Sequence, residues 1–167
     1  MTAIPDVPAG GAARHAPVAV PRVVALDQPF DRDGLHMLRS AVAAHTGRLG
    51  VSGRRAEHLV AVAHELAANA IRHGGGGGQL RLWTDGMMVY CQVSDQGPGI
   101  ADPTIGTTPP DLSATRGRGM WICRQLCDDL TIDRPGCGGA TVTGMLGTRA
   151  ARHPRPRTPS RVRVPDG

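Results

Sequence analysis

Residues 80–94, LRLWTDGMMVYCQVS, constrain the fold more than any other stretch. Two short runs rich in Leu, Val, Trp and Tyr flank Asp85-Gly86, a dipeptide that closes tight hairpins because glycine readily takes a positive φ. The spacing predicts strands over residues 80–84 and 87–94. A hairpin excludes an all-helical chain and an all-parallel sheet. In the second strand Met87, Val89, Cys91 and Val93 share one face, and Tyr90, Gln92 and Ser94 the other. Two further steps place Asp95 on the apolar face, just before Gly97, Pro98 and Gly99. A buried carboxylate costs several kcal/mol unless it is hydrogen-bonded or paired.

The remaining elements arrange themselves around this hairpin. A short strand is expected over residues 22–26. Asp31 or Asp33 caps a helix running to about Thr46, with Leu35, Leu38 and Val42 as its inward stripe. Ser52 caps a second helix over residues 54–73, which Gly74 ends. Gly74 to Gly78 reads as a flexible link, and residues 96–116 as irregular. A third helix is expected over residues 119–128, and a last pair of strands over 130–133 and 140–146. The order predicts an α+β chain: a two-layer α/β sandwich with a mixed, mostly antiparallel sheet and helices on one face.

Composition limits what such a domain does. The net charge of +5 sits in the C-terminal tail, where residues 147–167 hold six arginines against one aspartate. The remainder is neutral, so no basic face for direct nucleic-acid binding is expected of the folded part. All basic residues are arginine. No apolar run approaches the ~18 residues of a membrane span, and no signal peptide is evident. Cys91, Cys123, Cys127 and Cys137 form no CxxC pair, which suits free thiols in a reducing, cytoplasmic setting. One domain is expected over residues 22–147, between a disordered segment at 1–21 and a disordered Arg/Pro-rich tail at 148–167.

Three motifs carry chemistry. The second helix contains HELAANAIRHG, residues 64–74, and Leu59, Val62, Leu66 and Ala70 form its buried stripe. Glu65 and Asn69, four apart, lie together at its margin. They offer hard oxygen ligands for Mg²⁺; Glu65 could equally accept a proton, or both could belong to a solvated polar face. The second motif is Asp95-x-Gly97-x-Gly99. A ligand amine, such as the exocyclic amino group of adenine, would satisfy the carboxylate, and so would its own turn backbone. The third, Arg116-Gly117-Arg118-Gly119-Met120, opens a helix and presents amide groups suited to an anion.

ExxxNAxxH, then DxGxG, then GxG before a helix, then a Gly-Ala-Thr strand near Thr141, together resemble the Bergerat or GHKL ATP-binding fold. Gyrases, a heat-shock chaperone, histidine kinases and MutL proteins share that fold. The resemblance runs from about residue 54 to 146. It implies that Glu65 acts as catalytic base, that Asn69 holds Mg²⁺, and that Asp95 binds the adenine amino group of ATP. By the same resemblance Gly97, Gly99 and Ile100 shape the pocket floor and residues 101–116 form a lid. Gly117 and Gly119 cradle phosphates that Arg116 and Arg118 neutralise, and His73, Met120 and Thr141 complete the nucleotide-binding set.

A chain of this length holds no room for the further domains of gyrases, the chaperone or MutL, and no helical hairpin with a phosphoacceptor histidine precedes residue 54. TRGRGMWICRQLCDDL in a free-standing domain is similar to the anti-sigma-factor serine/threonine kinases of Gram-positive bacteria. That likeness implies a homodimer that sequesters a sigma factor and phosphorylates an anti-sigma antagonist protein. The alternative is a non-catalytic, ATP-sensing partner-binding module of the same fold.

Overall fold

The computed structural model describes residues 18, 19, 21, 24–102, 104–111, 118–133 and 138–149. Its elements are β1 (Leu26–Asp31), α1 (Leu35–His45), α2 (Gly53–His73), β2 (Gly77–Asp85), β3 (Met88–Asp95), α3 (Arg118–Leu126), β4 (Asp129–Asp133) and β5 (Ala140–Gly147). The strands form one five-stranded sheet in the order β1-β2-β3-β5-β4. The architecture is α+β as expected, and the mixed sheet proves fully antiparallel in every pairing.

Helical periodicity places the helices. Leu59, Val62, Leu66 and Ala70 on α2 are all buried, joined by Leu38 and Val42 of α1. They pack on Leu80, Leu82, Val89, Cys91 and Val93, the inward face of β2 and β3. Aliphatic side chains and small residues fill this layer, each Leu or Val contributing about 1.5–3 kcal/mol when fully buried. α3 packs beside α2, where Gly144 leaves room for Val62 and Cys127. Cys91 and Cys123 serve as buried small side chains, and no group of three or more ligating side chains suited to a metal forms among the described residues.

Several boundaries differ from the sequence reading for tertiary reasons. The first strand among the described residues is Leu26–Asp31; of the expected 22–26, Val24 and Ala25 stand before it, and Arg22 and Val23 lie outside the described residues. Phe30 must reach the core, and it does so opposite Gly78, where a Cβ would sit only 3.1 Å from the Phe30 ring. Packing therefore outweighs local β propensity. For the same reason Gly77 and Gly78 are strand residues, not link: they pair with Asp31 and Phe30. Met87 lies in the hairpin loop and is 57% exposed, while Asp85 pairs with Met88. Gly86, at φ 59°, opens this two-residue loop. Neither expected aspartate caps α1 directly; Asp31 instead accepts the N–H of Gly34, the residue before the helix.

α3 stops at Leu126, two residues short of expectation. Asp128 is drawn away by tertiary bonds. Its N–H donates to Met145 O at 2.8 Å, and its carboxylate takes Arg55 Nη2 at 2.8 and 2.9 Å and the Gly147 N–H at 2.6 Å. Arg55, 9% exposed, thereby ties the start of α2 to the end of α3. The segments expected to be disordered lie almost wholly outside the described residues.

Candidate functional site

The register of β3 answers why a strand ends by aiming a carboxylate inward. Val89, Cys91, Val93 and Asp95 alternate onto the helix side, and Asp95 arrives beside Gly74, the C-cap of α2. A Cβ on Gly74 would stand 2.6 Å from Asp95 Oδ2. Asp95 Oδ1 accepts the N–H groups of Gly97 at 2.9 Å and Ala140 at 3.2 Å. The turn bonding that the sequence offered as one way of satisfying this carboxylate is therefore present at one oxygen.

Glycines enclose this carboxylate. A Cβ on Gly97 would fall 2.8 Å from His73 O, and one on Gly99 2.8 Å from Gly139 O. Gly139 donates its N–H to Gly97 O at 2.7 Å, and its own Cβ would strike Asp95 O. Gly99 and Gly139 both hold positive φ, 81° and 82°, a conformation that side chains rarely adopt. Three segments thus meet without side chains around Asp95: the end of α2, the loop after β3 and the entry to β5.

Glu65 and Asn69 stand nine and five residues before Gly74 on α2. Both face α3: a Cβ on Gly119 would come within 2.6 Å of Glu65 Oε2 and 3.4 Å of Asn69. Gly119 is buried there because its missing side chain lets the first turn of α3 approach these two polar groups. Burial pushes the Cys123 thiol upward, and the nearby Glu65 carboxylate adds to that shift. Glu65 and Gly74 are nine positions apart on α2, about 13 Å at the helical rise. The oxygen-bearing patch and the glycine-walled carboxylate thus lie along the same helix.

The other expected site residues divide. His73 is exposed, with its carbonyl against Gly97. Ile100 is partly buried against the core, and Arg118 is exposed at the start of α3. Met120 is 4% exposed and belongs to the core cluster, not to a ligand surface. Thr141 is not brought to the site. It pairs with Ser94, and the two hydroxyls meet at 3.1 Å on the face opposite Asp95; Ala140 is the residue beside that carboxylate. Arg116 and Gly117 lie outside the described residues.

Sequence reading missed Arg72, Gly74 and Gly139. Arg72 Nη2 donates to Asn69 Oδ1 at 3.2 Å, placing a guanidinium beside the site in a chain without lysine. Its i, i+3 spacing from Asn69 carried that signal. Two clefts, of about 340 and 290 Å³, lie elsewhere, one lined by Phe30 and Met37 and the other between α1 and α2. Neither includes Glu65, Asn69 or Asp95, whose site is defined by its glycine walls.

The donor set fits a nucleotide and a hard cation. One amide oxygen and one carboxylate suit Mg²⁺ when phosphate and water complete the octahedron. Around Asp95 the glycines bring backbone into close contact with the carboxylate. Comparisons with known proteins agree with the architecture. Residues 29–145 match the histidine kinase-like ATPase domain. The catalytic domain of histidine kinase ThkA shares the fold at a TM-score of 0.50 and 16% identity, over 74% of this chain and 96% of that one. A mycobacterial sensor histidine kinase, MprB, aligns at 0.49 and 20% identity, over 74% and 99%. The histidine kinase domain of the E. coli osmosensor EnvZ aligns at 0.43 and 17%, over 89% and 100%. Among curated protein sequences, none matches. With the family matched over most of its length and the antiparallel α+β fold in place, the chain belongs to the histidine kinase-like ATPase domains.

Proposed function

We propose that the chain is an ATP-binding regulator that acts as an anti-sigma-factor serine/threonine kinase. The observation that carries the ATP site is the Asp95 carboxylate, walled by Gly74, Gly97 and Gly139 and held at one oxygen by backbone N–H groups. Its other oxygen accepts the adenine amino group. Gly97 and Gly99 form the floor under the base. Asn69 holds Mg²⁺ at the phosphate end, with Arg118 and Gly119 at the anion; Arg116 and Gly117, outside the described residues, are assigned there by the resemblance alone. Arg72 supplies the nearby positive charge that lysine would otherwise provide. ATP supplies the γ-phosphoryl group when bound. Glu65 takes the proton from a serine or threonine hydroxyl of the antagonist protein. A homodimer sequesters the sigma factor until the antagonist competes for it.

One observation favours a second reading. Asn69 Oδ1 is already engaged by Arg72, as suits a module that binds nucleotide and regulates partners without transferring phosphate.

Titration calorimetry with ATP, with and without Mg²⁺, tests the pocket on wild type and Asp95→Ala. Wild type binds and Asp95→Ala does not; no binding by wild type at millimolar ATP overturns the nucleotide site. Labelled ATP with antagonist-type proteins from the same genome then tests transfer. Kinase activity appears as label on serine or threonine, lost in Glu65→Gln with ATP affinity retained. Partner regulation that persists in Glu65→Gln, with no label on any antagonist, establishes the sensor instead.

A further inference from the structure

The sheet has a second face, and among the described residues no helix covers it. Register places Trp83, Tyr90 and Met145 in one row across this outer face, and Arg81, Gln92 and Thr143 in the next. The helices lie on the opposite side, and the core cluster includes Leu80 and Leu82 but not Trp83, the next residue along the strand. Side chains on an open sheet face stand out from the sheet with their tips in water. Here they do not. Trp83 is 3% exposed, Gln92 4% and Thr143 0%. Trp83 and Tyr90 stack in parallel, ring centroids 5.2 Å apart, and Gln92 Nε2 donates to Thr143 Oγ1 at 3.2 Å. These contacts run within the face. A neighbour in the same row cannot cover the outer surface of a tryptophan, so a further layer must lie on top.

We propose that this layer is the chain's own segment before β1, residues 16–24, which straps the outer face and seats on Trp83 and Tyr90. Chain path is the first argument. Ala25 donates its N–H to Leu82 O at 2.7 Å, and Leu26 stands opposite Leu82. The segment therefore reaches the sheet within one residue of Trp83. Burial is the second. Val18 and Val24 are half-buried, whereas Ala19, Pro21 and Ala25 are exposed. Chemistry is the third. APVAVPRVV is apolar, and Pro17 and Pro21 lack the N–H groups that would extend the ladder as another strand. Such a segment lies across a face more readily than it joins an edge. The other terminus fits less well. Thr148 donates to Met87 O as the chain leaves β5, Arg149 is exposed, and the residues beyond are arginine-rich. An apolar segment gains more from covering Trp83 and Tyr90 than an arginine-rich one, whose charged heads keep their water. The strap extends the folded unit to about residue 16, and any protein that docks on this face must displace it.

The test uses Trp83 as its own reporter. The chain holds two tryptophans, Trp83 and Trp121, so the work is done on Trp121→Phe. Emission maximum and acrylamide quenching are compared for the full chain, for a chain lacking residues 1–23, and for one lacking 150–167. Loss of 1–23 should shift emission to the red and raise the quenching constant several-fold. Loss of 150–167 should change neither. A synthetic peptide of residues 14–25 should restore protection to the shortened chain. Should the shortened chain fail to fold by circular dichroism, full-length Val18→Asp takes its place and should show the same exposure. Three outcomes overturn the proposal: quenching unchanged without the segment, exposure caused by loss of the tail, or Trp83 protection that falls on dilution, which would make a second copy the cover.

Discussion

Gly74→Ala separates a pocket built around Asp95 from a glycine used only to end a helix. Gly74 has φ −101° and ψ 19°, a conformation that alanine adopts without strain. Its substitution would ordinarily stabilise by about 0.4–1 kcal/mol through the unfolded chain. The new methyl, however, would stand 2.6 Å from both Cβ and Oδ2 of Asp95, where ordinary contact begins near 3.4 Å. The carboxylate must therefore withdraw by about 1 Å, and bonds of 2.9 and 3.2 Å to Gly97 and Ala140 pass beyond hydrogen-bond range. The displaced carboxylate then misses the adenine amino group, a hydrogen bond to a charged group that contributes about 1.5–3 kcal/mol, so nucleotide affinity should fall by roughly 10- to 150-fold. Stability should drop by only about 1–2 kcal/mol. The assay is calorimetric ATP binding beside urea unfolding, with Gly47→Ala as control because a Cβ there meets nothing within 4 Å. Unchanged ATP affinity in a folded Gly74→Ala protein would refute the placement of the base at Asp95.

Asp128→Ala should destabilise by about 3 kcal/mol in urea unfolding, because it strands the largely buried Arg55 guanidinium; an effect below 1 kcal/mol would show that water reaches this pair freely. Gly97→Ala should harm folding more than Gly74→Ala does, since its Cβ meets the backbone of His73 and Gly74 rather than a movable side chain; equal urea midpoints for the two would contradict this. Burial raises the Cys91 and Cys123 thiols and pushes Cys127 up to about 12. These thiols stay protonated in the fold while the unfolded chain ionises near pH 9, so stability should decline as pH rises from 9 toward 12, and Ellman's reagent should label them only after unfolding. His58 is shifted downward, chiefly by burial and then by Arg55 and Arg54. The unfolded chain therefore takes up the proton first as pH falls through the ordinary histidine value near 6.5, and stability falls with it; an NMR titration midpoint at or above 6.5 would contradict this.

Local pattern revealed some of this molecule and concealed the rest for identifiable reasons. Leu38, Val42 and the stripe Leu59–Val62–Leu66–Ala70 are buried as expected, and Leu35 partly so, because a helix carries its periodicity within one segment. The inward turn of Asp95 was equally legible, since strand alternation continues to the last rung. Thr141 was misplaced because motif position does not state which face a residue occupies; its pairing with Ser94 does. Met120 lay within a glycine-rich phosphate motif, yet helical rotation turned it into the core. Arg72 was overlooked while cations were sought only beside the glycines at 116–119.

By itself the sequence determined the hairpin, the two amphipathic helices, the glycine positions and the order of motifs that names the family. Each is a property of a segment and its neighbours along the chain. Tertiary structure decided what depends on two distant segments meeting. Phe30 chose its strand because Gly78 leaves room for its ring. Asp128 ended α3 because Arg55 and Gly147 lie in reach. Gly139 became part of the Asp95 wall because β5 enters beside β3. The burial of Trp83 on a face without a described helix is of the same kind: side-chain identity sets what a residue requires, and only the assembled fold sets what lies against it.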